Sequence, residues 1–381
     1  MDGDLNAVSQ RWEAWWEHTN DRPVISITYP ATEVDYGPYI KPWMAPFYTT
    51  EWTTWRQEFA FGHAVELTWR TGDARHVEDA LDLLEYYASV TGHAGEGFPF
   101  LFANLGAAMM PAFITNYTQF TGDTIWVGVE PPWSWEQINE LSADHTTTYK
   151  DVAMQAIAHL CQRLQGKFVI APPELGGVLD VVAGIRGTMN LLTDVIDCPD
   201  QVHCTIDFIE RLRGQWDDEL DAIIDPVNSG CYAKTMRYLA GKPTYIGSCD
   251  FSAMISPAMF EEFALPTLVH ETQKYPGRVI YHLDGPGEIP HIGLLCAMEG
   301  LHGIQWVTGA GNPGNFDPCW DDLYRRILDA GKRICLCTAP RDKDTVEAFF
   351  KKFPAREFFV PFVAKDEAEA REILSWNLWT R

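Results

Sequence analysis

Eight times along this chain a short apolar run breaks at a turn and gives way to a helical pattern. That alternation limits the fold more than any other feature. The runs are residues 23–30 (PVISITYP), 99–105 (PFLFANL), 168–173 (FVIAPP), 244–251 (TYIGSCDF), 279–284 (VIYHLD), 303–307 (GIQWV), 333–338 (RICLCT) and 357–363 (EFFVPFV). Residues 143–165, 200–224, 257–274, 342–352 and 365–376 carry apolar side chains at helical spacing or open on charged, cap-like stretches. Ser256-Pro257 marks one start, a capping hydroxyl followed by proline at the first helical position. Strands separated by helices run parallel, and the simplest closed form is an α/β fold of the TIM-barrel type, a (β/α)8 barrel. An open, doubly wound sheet is the alternative, but no G-x-G-x-x-G follows an early strand.

The 381 residues suit one such barrel. Residues 1–97 are expected to form an N-terminal extension that supplies the first strand and extra helices; residues 98–381 complete the barrel as part of the same domain. Helices are expected near residues 12–19 and 52–71. Residues 41–55 (KPWMAPFYTTEWTTW) hold Trp43, Phe47, Tyr48, Trp52 and Trp55, which suit either packing on a helix face or a cover over a pocket.

Composition narrows the partners. Lys and Arg number 29 against 53 Asp and Glu, for a net charge of −24. That balance excludes duplex nucleic acid and an anionic membrane surface, both of which demand clustered cations. No stretch of about 18 apolar residues suggests a spanning helix. The first residues lack the basic start and apolar core of a signal peptide, so a cytoplasmic location is expected. The nine scattered cysteines read as free thiols.

Strand alternation places His282 and Asp284 on one face, at the end of their strand and just before Gly285-Pro286-Gly287. In a barrel that end carries the active site. An imidazole and a carboxylate there suit a metal, a proton-transfer pair, or a buried pair in which Asp284 orients His282. Cys335 and Cys337 share a face of another strand and are either small buried side chains or thiol ligands. Zinc held by His282, Asp284 and Cys337 would keep an open fourth position. Glu174 and Asp250 end two further strands, as substrate contacts or as caps of the helices that follow. Asn104, Tyr281 and Trp306 complete the candidate substrate contacts, and His291 reads equally as a surface residue. There is no G-x-S-x-G, no phosphate-cradling glycine loop and no C-x-x-C pair.

Residues 248–266 (SCDFSAMISPAMFEEFALP), followed by YHLDG at 281–285, resemble the uroporphyrinogen decarboxylase superfamily. The resemblance covers about residues 95–375. It implies a (β/α)8 barrel and two branches of chemistry: decarboxylases, and cobalamin-dependent methyltransferases that feed coenzyme M, with cobalamin-independent methionine synthase as a relation. The decarboxylases carry Arg-Gln-Ala-Gly-Arg-Tyr after the first strand, where Tyr29-Pro30-Ala31-Thr32 stands here. Their acidic Phe-Ser-Asp is matched by Phe102-Ala103-Asn104, and their late Gly-His-Gly is missing after residues 359–363. Porphyrinogen decarboxylation is therefore not expected. The methyltransferases bind zinc through His-x-Cys and a late Cys. His282 matches, Asp284 replaces the thiolate, and the late position falls near Val363, leaving Cys337 as a substitute.

The resemblance thus implies an enzyme that moves a methyl group between a small O-, N- or S-methyl compound and a corrinoid. The corrinoid would sit on a separate protein, since no Asp-x-His-x-x-Gly motif is present. His282, Asp284 and Glu174 would be catalytic. A lyase or decarboxylase of a small organic acid on the same barrel, or a non-catalytic binding protein, are the alternatives.

Overall fold

The computed structural model describes residues 5–48, 50–52, 56–121 and 125–379. In chain order its strands are β1 (Val24–Pro30), β2 (Thr91–Gly95), β3 (Phe100–Phe102), β4 (Gln119–Phe120), β5 (Ile125–Trp126), β6 (Val169–Ala171), β7 (Tyr232–Lys234), β8 (Tyr238–Ala240), β9 (Tyr245–Ser248), β10 (Val279–Asp284), β11 (Leu301–Val307), β12 (Arg333–Leu336) and β13 (Phe358–Val363). Each of the eight expected runs contains a strand, and these eight pair in parallel. Six of them lie in the order β1-β13-β12-β11-β10-β9, and β3 and β6 form a separate parallel pair.

One row of ladder partners, Val24–Phe359–Cys335–Gln305–His282–Ser248, crosses all six strands. Ladder partners share a face, so these side chains point to the same side. That side is apolar at its lower end. Val24, Phe359, Cys335 and Ile280 join Phe100 of β3 and Val169 and Ala171 of β6 in one buried cluster. Inner faces of both sheets therefore look into a common interior. Out-of-phase residues such as Ile27, Leu283, Ile304 and Phe362 belong to the second, larger cluster beneath the helices.

Two elements fill that interior. Helix α1 (Leu5–Trp16) buries Trp12, Trp15 and Trp16. The β7–β8 hairpin adds Ala233, Tyr238, Leu239 and Ala240. The Tyr238 ring meets Trp12 at 6.3 Å and Phe359 at 5.6 Å, and Trp16 Nε1 donates to the Leu239 carbonyl at 2.9 Å. Buried Glu96 ties α1 down. It accepts from Arg11 at 2.6 Å, Arg22 at 2.5 Å and the Ile25 amide at 2.9 Å.

Among the described residues no ladder joins β6 to β9. Asn228 serves β6 instead: its Oδ1 accepts the Ile170 amide and its Nδ2 donates to the Ile170 carbonyl, both at 2.8 Å. A side-chain amide thus satisfies the two backbone groups that a neighbouring strand otherwise would.

Helices begin where capping residues stand. Thr147 caps Thr148–Leu164, Ser256 caps Pro257–Phe263 and Asp342 caps Lys343–Phe350, each accepting a backbone amide. The single helix expected over 257–274 is two, Pro257–Phe263 and Leu265–Lys274. Pro266 has no amide to donate and disfavours helical geometry at the residue before it.

In the extension, α2 (Arg56–Thr71) and α3 (Arg75–Val90) lie in the places where the chain leaves the strands. Trp43 and Phe47 pack edge-on against His63 of α2, which stacks on Phe120 at 3.6 Å. Trp52 reaches the strand ends. It lines a cleft of about 510 Å³ with Pro30, Thr338, Arg341, Val363 and Lys365. Trp55 lies outside the described residues. No helix among the described residues is long and apolar enough to cross a membrane.

Asn228→Ala leaves two buried backbone groups of Ile170 unpaired, and should destabilise the fold by roughly 2–4 kcal/mol. Urea unfolding of both proteins measures it; an unchanged midpoint would mean that water or a neighbouring strand serves Ile170 instead.

Candidate active site

His282 stands on the inner face, two residues beyond Ile280 of the apolar cluster and toward the end of its strand. Its Nδ1 lies 2.6 Å from Oε1 of Gln305, its ladder partner on β11. With Gln305 Oε1 as the acceptor of this contact, Nδ1 is the donor. Gln305 is buried.

Carboxyls gather around this imidazole. Glu174 follows β6, held in place by its own carbonyl, which accepts the Met109 amide at 2.9 Å. Its pKa is raised, first by burial and then by Asp250, against the opposing pull of His282 and Arg213. Asp250 follows β9 and is raised too, by burial and by Asp284, with His282 opposing. Asp180 opens the helix Val178–Arg186 and accepts the amides of Asp250 at 3.1 Å and Phe251 at 2.7 Å. Glycine at 177 permits this approach: a Cβ there would sit 2.2 Å from the Ser248 carbonyl oxygen. Burial, with Asp250 beside it, pushes Asp180 up to about 7. Glu288 is 1% exposed and is pushed up to about 9 by burial, Asp250, Asp180 and Asp284. Burial and mutual repulsion thus raise all four acids, enough to keep the proton of Glu288 at neutral pH.

Behind Glu174 lies a cavity of about 40 Å³, walled by Asp217, Lys234, Thr235 and Ser248. Polar walls and that size suit one or two bridging waters.

The other expected site residues fall elsewhere. Tyr281 and Trp306 are out of phase with His282 and Gln305, and face the helices rather than the interior. Trp306 packs on Trp320 at 4.9 Å. Tyr281 donates its hydroxyl to Glu288 at 3.3 Å, and so touches the site only from behind. Asn104 spends its Oδ1 on the Gly106 amide at 2.9 Å, inside its own turn. All three are buried within the fold. His291 is buried against Phe260, not on the surface.

The zinc set does not assemble. Among the described residues no three His, Cys, Asp or Glu side chains gather as a metal-holding group. His282 commits Nδ1 to Gln305. Cys337 donates its thiol to the Trp306 carbonyl at 3.3 Å and is pushed up to about 12 by burial and by Asp284.

Gln305, Asp180 and Glu288 escaped the sequence reading. Alternation within GIQWV puts Gln305, not Trp306, in phase with the inner face. Asp180 and Glu288 stand inside helical stretches and carried no such signal.

Fourteen chains of solved structures match this one, among them a methyltransferase from Methanosarcina mazei. That match has a TM-score of 0.56 at 11% identity and covers 97% of this chain and 99% of the other. The fold is thus like that of a methyltransferase. No family model and no curated protein matches the chain.

The raised acids have a measurable consequence. Asp180 and Glu288 bind protons more tightly folded than unfolded, so each stabilises the fold fully below the unfolded pKa. That stabilisation is lost as pH rises through about 7 and about 9. Thermal stability should therefore fall from pH 6 to pH 9.5, and the double variant Asp180→Asn, Glu288→Gln should flatten that fall. An equally steep fall in the variant would place the titrating groups elsewhere.

Proposed function

We propose that this chain is a methyltransferase, moving a methyl group between a small O-, N- or S-methyl compound and a corrinoid on a separate protein. We propose further that its eight parallel strands are those of a (β/α)8 barrel of the uroporphyrinogen decarboxylase superfamily. The observation that carries the reading is the buried Glu174, its pKa raised by burial, beside His282 and Asp250 where the strands end. The methyltransferase-like fold supports it.

The corrinoid supplies the nucleophile that receives the methyl group. This chain's residues manage the other end of the bond. As the bond between the methyl carbon and the heteroatom breaks, its electron pair stays on the heteroatom. Glu174 gives that atom its proton, so the departing group leaves neutral. Asp250 lies close enough to keep Glu174 protonated by repulsion, and His282, oriented by Gln305, accepts a hydrogen bond through Nε2. A carboxylic acid held neutral near pH 7 is a stronger acid toward a developing anion than water is. The bridging cavity behind Glu174 offers a route by which its proton is restored. No step here passes through a metal.

The assay mixes purified protein, methylated candidates and cob(I)alamin, and follows methylcobalamin by absorbance. Glu174→Gln should slow transfer by about 10²–10⁴-fold while donor binding persists. The rate should fall as pH rises through the Glu174 pKa, because the acid form does the work. His282→Ala should slow transfer with the fold intact. Full activity in Glu174→Gln would remove the acid role. Stoichiometric zinc lost in His282→Ala would restore a metal centre. No transfer from any donor would favour the lyase or binding-protein reading.

A further inference from the structure

The cleft of about 510 Å³ at the ends of β1, β12 and β13 is of a size that takes a small organic ligand. In parallel α/β folds, ligands bind beyond the carboxyl ends of the strands, and this cleft stands there. Two backbone bonds fix its walls. After β12 the Ala339 amide donates to the Pro361 carbonyl at 2.8 Å, and after β13 the Ala364 amide donates to the Thr28 carbonyl at 2.9 Å. Each exit loop is thus pinned to the neighbouring strand, so the cleft is formed before a ligand arrives.

Its lining combines apolar surface with positive charge. Trp52 forms one side, its Nε1 donating to Thr91 Oγ1 at 3.1 Å. Pro340 and Val363 add apolar surface, and Val363 is 38% exposed at the end of its strand. Arg341 and Lys365 bring the charge, and among the described residues no Asp or Glu lines the cleft. Glu369, on the helix Glu367–Leu374, ties both cations down. Its Oε2 accepts from Arg341 Nη1 at 3.2 Å and from the Lys365 amide at 2.6 Å. Arg341 is thereby oriented with Nε and Nη2 left to donate, and the Lys365 ammonium meets no carboxylate among the described residues. Two cations against one carboxylate leave one positive charge beside apolar walls, in a protein whose net charge is −24. A flat organic anion of single charge matches that combination.

We propose that this cleft is a binding site for a flat organic monoanion of the aromatic carboxylate class. Trp52 takes the ring face, and Lys365 and Arg341 take the charge. The site is separate from the acids around His282, which follow β6, β9 and β10. Binding here does not depend on methyl transfer.

Calorimetric titration of the full chain compares 2-naphthoate with 2-naphthalenemethanol, which has the same ring system and no charge. The anion should bind about fivefold or more tightly than the alcohol. Lys365→Gln and Arg341→Gln should each shrink that preference, and the double variant should erase it. Both side chains are exposed, so these variants should melt with the parent. Trp52→Leu should weaken anion and alcohol alike, by about threefold or more, and leave the preference in place. No naphthoate binding at about 1 mM, no preference over the alcohol, or a preference that survives in the double variant would overturn the site. Unchanged affinities in Trp52→Leu would overturn it too, since the ring face would then lie elsewhere.

Discussion

What lies inside the strands governs the rest of this molecule. The inner face of a parallel sheet has to be packed, and here α1 and the β7–β8 hairpin supply the packing. Three tryptophans enter with α1, and Tyr238 rises between Trp12 and Phe359. With the lower rows closed by apolar contact, the inner positions left for polar chemistry are those nearest the strand ends. His282, Gln305 and Ser248 occupy that level, and Glu174, Asp180 and Asp250 follow the strands beside it. Glu96 underwrites the arrangement by fixing α1 to the start of β1 through Arg11, Arg22 and the Ile25 amide. A buried carboxylate with three such partners is well compensated.

Electrostatics then follow from burial. Carboxyls that lose water without gaining cations hold their protons, and each charged neighbour strengthens that tendency in the next. Asp180, Glu174, Asp250 and Glu288 form such a set. Lys234 and Arg213 are near but engaged, Arg213 with Glu271 at 2.6 Å and Lys234 with Asp221 at 3.3 Å. Protons are then favoured on these acids more than on exposed carboxyls, most of all on Glu288.

The strands were legible because each alternates or runs apolar and ends at a turn; every one of the eight runs holds its strand. Site membership was half legible. His282, Asp284, Glu174 and Asp250 sit at strand ends, as their positions imply. Tyr281 and Trp306 lie one residue out of phase with His282 and Gln305, and one residue's shift along a strand reverses its face. The hairpin was hidden for a different reason. Residues 232–240 (YAKTMRYLA) lack the Asn-Gly or Gly pair that announces a tight turn, and Met236 and Arg237 adopt φ > 0 without it. Asn228 is illegible in principle, since a side chain that imitates a strand leaves no periodic trace.

The central claim is that Glu174 holds a proton at neutral pH in the folded protein. Infrared difference spectroscopy of the parent against Glu174→Gln at pH 7, in light and heavy water, reads it directly. The account predicts a carboxylic-acid C=O stretch in the parent that shifts on deuteration and is missing from the variant. A parent spectrum that instead loses only carboxylate bands on substitution would show Glu174 ionised, and would contradict the account.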